Sequence, residues 1–280
     1  MSGELTIWQI IRTFPGKVVT TWLLVVLENV LMACLPLLMG QTIDGLLAED
    51  SGPLLLLAGA FALLVVVSVV RRIYDTRVYG TIKVELGLRL LERQQGLGIS
   101  VRSARLDMSR ELVDFLENEV PLLFTSVIQL TVSLIILAGF AGQLAWAAVA
   151  LTLAMLALYA CFHRRFYRLN GALNAQQERQ VNVLQRALPW QFHRHLNMLR
   201  RWEVKLSDSE AWLYGGIFLL ALLFIVHNLM ASVTIEPVTA GTIFSIVSYS
   251  WEFVEAMLGL PMALQSWSRL REITQRINTG

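Results

Sequence analysis

Carboxylates placed at membrane depth are the groups of this sequence best equipped for chemistry. One lies inside "TTWLLVVLENVLMACLPLLMGQTIDGLL", which starts at Thr20 and carries Glu28 beside Asn29. Others lie in "SIVSYSWEFVEAMLGLPMAL", which starts at Ser245. There Ser245, Ser248, Glu252, Glu255 and Gly259 recur at helical spacing and make one continuous stripe. A carboxylate in hydrocarbon costs at least ~2.5–3.5 kcal/mol, so these side chains are expected to face a wet cavity or a partner and not lipid. Two carboxylates one turn apart also repel, which favours a proton held between them. That chemistry suits reversible proton uptake and recognition of a cationic or peptidic substrate. Ser126, Gln129 and Ser133 repeat the small polar pattern elsewhere; for that stripe hydrogen bonding between helices is the favoured explanation. The expected substrate and proton cavity therefore comprises Glu28, Gln129, Ser245, Ser248, Glu252 and Glu255.

The elements that must position these residues follow from composition. The 280 residues are 55% apolar and only 16% charged, more oily surface than a soluble domain can bury. Six apolar segments stand out: Val18 to Thr42, Pro53 to Val70, Val120 to Phe140, Gln143 to Phe162, Ala211 to Met230 and Thr242 to Trp267. At ~1.5 Å per residue each is long enough for a ~30 Å hydrocarbon core. Glu28 lies ~16 Å along the helix from Lys17, close to the midplane, and Glu252 reaches a similar depth from the other side.

Cations set the orientation. Arg12 and Lys17 precede the first span, and the rest fall between Arg71 and Arg110, between Arg164 and Lys205, and at Arg269, Arg271 and Arg276. The alternate loops hold Asp44, Glu49, Asp50 and Glu236 instead. Positive loops stay inside, so both termini are expected on the cytoplasmic face of a bacterial inner membrane. The net charge of +2 is thus a topological signal, and a nucleic-acid partner is not expected. Cys34 and Cys161 lie in different spans at opposite depth and read as small apolar fillers.

The inner connections, residues 71–119 and 163–209, run to nearly fifty residues each, while the outer ones are short. Helical spacing of Val84, Leu88 and Leu91 in the first, and of Leu169, Leu173, Gln176 and Gln180 in the second, predicts two cytoplasmic helical hairpins. Each is broken once, at Gly96-Leu97-Gly98 and at Leu188-Pro189-Trp190.

This layout resembles the six-helix transmembrane domain of ABC exporters, the type IV fold. "LTIWQIIRTFPGK" resembles its elbow helix (residues 1–17), "LPLLMGQTIDGLL" the end of its first helix, and "RLLERQQGLGISVRSARLDMSRELVDFLENEVP" its first coupling loop. The resemblance covers essentially the whole chain and implies one all-α domain over residues 1–280, paired as a homodimer or with a sister chain in the lipid bilayer. It also implies coupling or partner contacts at the hairpin tips, at Arg102, Arg105, Trp190 and Arg194.

No G-x-x-x-x-G-K-[ST] loop occurs in the sequence, so no nucleotide-binding domain and no catalytic residue are expected. Nor is there an H-E-x-x-H or G-x-S-x-G motif. His193 and His195, two apart on a helix, point to different faces, and no metal or cofactor is expected. Two energy sources remain open. A shell without an ATPase resembles SbmA/BacA-type peptide importers, which implies proton drive; alternatively a separately encoded ATPase docks on the tips. A non-transporting scaffold or regulatory subunit is the third reading.

Overall fold

The computed structural model describes residues 7–93, 99–186 and 188–278, all helix and short turns. In chain order the helices are α1 (Ile7–Thr13), α2 (Pro15–Leu47), α3 (Gly52–Arg93), α4 (Ile99–Asp114), α5 (Val120–Phe140), α6 (Gly142–Glu178), α7 (Gln180–Arg186), α8 (Pro189–Ser232) and α9 (Ala240–Asn278). A single π-helical turn, Phe115–Glu119, joins α4 to α5. Five helical stretches among the described residues are long and apolar enough to cross a membrane: Pro15–Leu47, Gly52–Glu92, Leu106–Phe140, Gly142–Gln185 and Pro189–Ser232. The expected sixth span falls on α9, whose side chains from residue 260 onward lie outside the described residues.

Two compact units emerge, one of residues 1–142 and 231–280 and one of residues 143–230. In the first, α2 packs on α3, α5 and α9, and α5 on α9. The described residues open with the short α1, ended at Phe14 because Pro15 restricts its predecessor and opens the next helix. Ile10 of α1 is buried in a core with Val18 of α2, Val78, Tyr79, Ile82 and Leu86 of α3, and Leu112, Val113, Phe115 and Leu116. Cations decorate its rim, Arg89 over the Phe14 ring at 5.9 Å and Lys17 over the same ring at 5.6 Å.

Two faces of the lower α3 carry apolar residues at helical spacing, and only one of them is buried. Val78, Ile82, Leu86 and Leu90 are buried, whereas Val84, Leu88 and Leu91 are more than half exposed. Both sets repeat at helical spacing, and period alone could not choose between them. Val84, Leu88 and Leu91 instead line a shallow groove against Leu106 and Ser103 of α4.

In the second unit, Leu144, Ala148, Leu151 and Met155 of α6 are buried at a 4-3-4 spacing, and Leu213, Ile217, Ala221 and Phe224 of α8 at a 4-4-3 spacing. Gly216 admits Leu158 of α6 so closely that a Cβ would lie 3.0 Å from its Cδ2. The break expected at Leu188-Pro189-Trp190 is present, α8 beginning at Pro189. The one expected at Gly96 to Gly98 lies outside the described residues.

The α2–α9 contact at the far end of α2 is the tightest in the first unit. A Cβ at Gly40 would run into Ser245 Oγ and the Gly241 carbonyl, and one at Gly241 would run into the Gly40 carbonyl. Asp44 of α2 accepts hydrogen bonds from the Gly241 N–H at 2.8 Å and the Thr239 hydroxyl at 2.7 Å. Thr239 Oγ1 in turn accepts from the Thr242 N–H at 3.0 Å. The first turn of α9 is thus capped partly by its own threonine and partly by a carboxylate from another helix.

Asp44→Ala should lower unfolding stability by about 1–3 kcal/mol, the cost of leaving those donors unmet. Gly40→Leu should do worse, because backbone cannot move aside. Gly59→Leu, whose Cβ would meet nothing within 4 Å, is the control that should change little. Thermal melts of helical circular dichroism in detergent give the order; equal midpoints for Gly40→Leu and Gly59→Leu would refute it.

Candidate functional site

Three helices of the first unit enclose a groove of about 680 Å3. α2 supplies Asn29, Met32, Ala33, Pro36 and Met39, α5 supplies Thr125 and Gln129, and α9 supplies Phe244, Val247, Ser248, Trp251, Glu252 and Glu255. These are neighbouring turns on each helix, so the groove runs along the helix axes. Its walls are apolar and sulfur-rich, with polar groups confined to a few positions, the usual make-up of a small-molecule site.

Glu255 is exposed, while Glu252 is half-buried with its Oε2 oxygen enclosed and without a hydrogen-bond partner. The Ser133 hydroxyl on α5, also buried and without a hydrogen-bond partner, stands beside it. Close packing of α9 on α5 holds this pair in place: a Cβ at Gly259 would lie 2.9 Å from Ser126 Oγ. On the other side Tyr249 donates its hydroxyl to the Ala33 carbonyl at 2.7 Å and Ser245 donates to the Pro36 carbonyl at 3.1 Å. Pro36 has no N–H, so the turn of α2 beneath it lacks one helical bond; α9 fastens itself to that weakened stretch.

Of the six expected cavity residues, Gln129, Ser248, Glu252 and Glu255 line the groove together. Ser245 does not: it is buried in the α2–α9 seam. Glu28 is not among the lining residues either. It forms an ion pair with Arg71 and accepts a hydrogen bond from Ser68, both on α3. Its neighbour Asn29 lines the groove while its Nδ2 donates to the Val25 carbonyl at 2.8 Å. The two residues part because they sit ~100° apart on α2 and that helix faces α3 with one side and the groove with the other.

Arg71 also approaches Asp75 at 3.5 Å. Further along α3, beyond its apolar stretch, Lys83 bridges Asp114 at 2.6 Å and Glu117 at 2.7 Å. Arg71, Asp75 and the Lys83 clamp were not singled out from the sequence. Their signal was present as charges on one face of α3 opposite charges on other elements, a pairing that needs the tertiary fold to be seen.

In the second unit, Arg194 lines a basic groove on α8 with Arg200, Arg201 and Lys205, and Trp190 is 62% exposed at the start of that helix. His193 is exposed and accepts from Asn197, whereas His195 is buried and receives the Gln176 amide on Nδ1 at 2.8 Å. The two imidazoles therefore face opposite ways. Arg102 and Arg105 belong to α4, and their side chains lie outside the described residues.

Arg71→Met should cost the fold about 1–3 kcal/mol by leaving the half-buried Glu28 with only its Ser68 hydrogen bond, and the double variant Glu28→Gln/Arg71→Met should recover part of that. Monodisperse yield and melting midpoint of the parent, Glu28→Gln, Arg71→Met and the double variant test it; a double variant no better than Arg71→Met would contradict the pairing.

Comparison with known proteins supplies the family. No curated protein matches the chain, but residues 7–241 match the family model described as ABC transporter transmembrane region. That match covers α1 through the first two residues of α9 and includes the five membrane-length helices found among the described residues. The chain is an integral membrane protein and belongs to the ABC transporter transmembrane region family.

Proposed function

We propose that the chain is the translocating part of a transporter that carries a cationic, amphipathic or peptidic substrate and is driven by protons. The observation that carries this reading is the groove itself: carboxylates of Glu252 and Glu255, with Gln129, Asn29 and Ser248, set among Met32, Met39, Phe244 and Trp251. Paired acids bind a cation; thioethers and an indole accept its apolar body. A proton can replace the cation at the same carboxylates, so loading one unloads the other, and this exchange couples substrate to the proton gradient.

A dimer with two-fold symmetry completes the picture. Glu255 and Trp251 are exposed on the protomer, and a bare carboxylate facing hydrocarbon would be costly, so a second copy or a sister chain covers the groove. The six-span arrangement, with residues 71–119 and 163–209 as cytoplasmic hairpins and both ends inside, belongs to this proposal.

Family membership favours a second reading, in which a separate ATPase powers the same groove. The basic face of α8, with Arg194 and the exposed Trp190, suits its docking, as do the positions of Arg102 and Arg105.

The two readings separate in reconstituted vesicles. Under proton drive, an imposed pH gradient without ATP should give uptake of a fluorescent cationic peptide. Glu252→Gln should abolish that uptake with dimer and expression intact, Glu255→Gln should reduce it about tenfold, and Arg194→Glu should leave it unchanged. Uptake seen only with ATP and a co-purified ATPase, and lost in Arg194→Glu, would replace the first reading by the second. Native mass measurement showing only monomer in gentle detergent would remove the dimeric cavity from both.

A further inference from the structure

A second polar assembly lies between α2 and α3, away from the groove. On α3 the residues Ser68, Arg71, Asp75, Tyr79 and Lys83 fall on one face at spacings of three and four. Opposite them stand Glu28 and Thr21 of α2, then Asp114 and Glu117 flanking and within the π turn. Arg71 is paired with Glu28 and lies 3.5 Å from Asp75 Oδ2, while Lys83 is held by Asp114 and Glu117. Four carboxylates thus share two cations, and the seam carries an excess of negative charge where burial makes such an excess expensive.

Asp75 is the most enclosed of the four, 6% exposed, and its Oδ1 has no hydrogen-bond partner. Three more enclosed polar atoms adjoin it in series: Thr21 Oγ1 next to Asp75, Tyr79 Oη next to Thr21, and Trp22 Nε1 next to Tyr79. Thr21 and Tyr79 are completely buried. None of these atoms is aligned for a hydrogen bond, although each has a complementary group beside it. Charged groups facing Asp75 are Arg71 on its own helix, Glu28 on α2 and Glu117 on the π turn.

We propose that this seam is a buried proton site, with Asp75 Oδ1 as the acceptor and Thr21 and Tyr79 as the hydroxyl chain that connects it toward Glu117 and Lys83. On uptake one O–H bond forms at Oδ1, the proton comes from water on the Lys83 side, and no electron pair leaves the carboxyl group. The neutral carboxyl donates to Thr21 and releases Arg71 wholly to Glu28. When the proton departs, two carboxylates compete again for one guanidinium, so the charge state of Asp75 sets how firmly α2 is tied to α3 at Glu28. A metal cation fits less well, because the indole N–H of Trp22 and the guanidinium of Arg71 are donors and repel it. The site stands independently of which group carries the transported proton in the groove.

The test is infrared spectroscopy of the full chain in lipid bilayers, titrated in sodium-free buffer. A carboxylic C=O stretch should appear as pH falls, persist in Glu252→Gln/Glu255→Gln, vanish in Asp75→Asn and return at a displaced frequency in Asp75→Glu. Thr21→Val, which keeps volume and removes the hydroxyl, should displace the same band, and it answers the question should Asp75→Asn fail to fold. A band that Thr21→Val leaves in place, or that Asp75→Asn leaves intact, overturns the proposal. Loss of the band on adding sodium at constant pH also overturns it, since the occupant would then be a metal cation.

Discussion

Gly40 and Gly241 bring the backbones of α2 and α9 together at one end, and no side chain larger than hydrogen fits between them. Bare backbone there would leave the first N–H groups of α9 unmet, and in a lipid environment that cost is several kcal/mol per group. Asp44 removes part of it by accepting from the Gly241 N–H, and Thr239, whose hydroxyl donates to Asp44, accepts from the Thr242 N–H. Close approach and capping therefore depend on each other: the glycines let the carboxylate reach, and the carboxylate makes so close an approach of a helix end tolerable. Ser245 and Tyr249, one and two turns further down α9, continue the seam by donating to the carbonyls of Pro36 and Ala33. With α9 fixed in rotation by these four points, Ser248, Glu252 and Glu255 have no choice of face and must turn toward α5 and the groove.

The same fixed rotation divides α2 between two tasks. One side presents Asn29, Met32 and Pro36 to the groove, and the side carrying Thr21 and Glu28 meets α3. Apolar residues such as Leu23 and Leu27 remain exposed on a third side, as expected of a helix in contact with lipid. A helix with polar groups on two sides and oil on the third has almost no net amphipathic direction, and simple patterning cannot orient it. Its orientation comes from specific pairs, Glu28 with Arg71 on one side and Gly40 with Gly241 near the end.

Much of the helical framework was legible in the sequence because apolar runs of membrane length leave few alternatives, and the α9 stripe was legible because Ser248, Glu252 and Glu255 repeat along a helix that carries large apolar residues elsewhere. What could not be read were the partners. Glu28 looks like a cavity acid until Arg71, forty-three residues later, is seen to arrive beside it; Ser245 looks like cavity lining until the Pro36 carbonyl is found within bonding distance. Val84, Leu88 and Leu91 were an equally regular stripe to Ile82, Leu86 and Leu90, and only packing against α1 and α4 selects the second. In each case the local pattern was correct, and the deciding contact lay tens of residues away.

One-dimensional pattern also hides how α5 can serve the groove while its extension α4 serves the charged seam. An α-helix running unbroken from Ile99 to Phe140 would keep a single angular phase, so residues chosen to face Lys83 would fix which residues face Glu252. The π turn at Phe115–Glu119, closed by the Val120 N–H to the Phe115 carbonyl, inserts one extra residue and shifts the phase by ~100°. Pro121 follows directly, and a wider turn accommodates the missing N–H better than a regular one. Asp114 and Glu117 can then point at Lys83 while Thr125 and Gln129 point into the groove, and the Lys83 clamp across the turn holds the two phases in register. Through that turn α4 and the groove wall belong to one continuous helical path, which links the Lys83 clamp at one end to the face on which α5 presents Gln129 at the other.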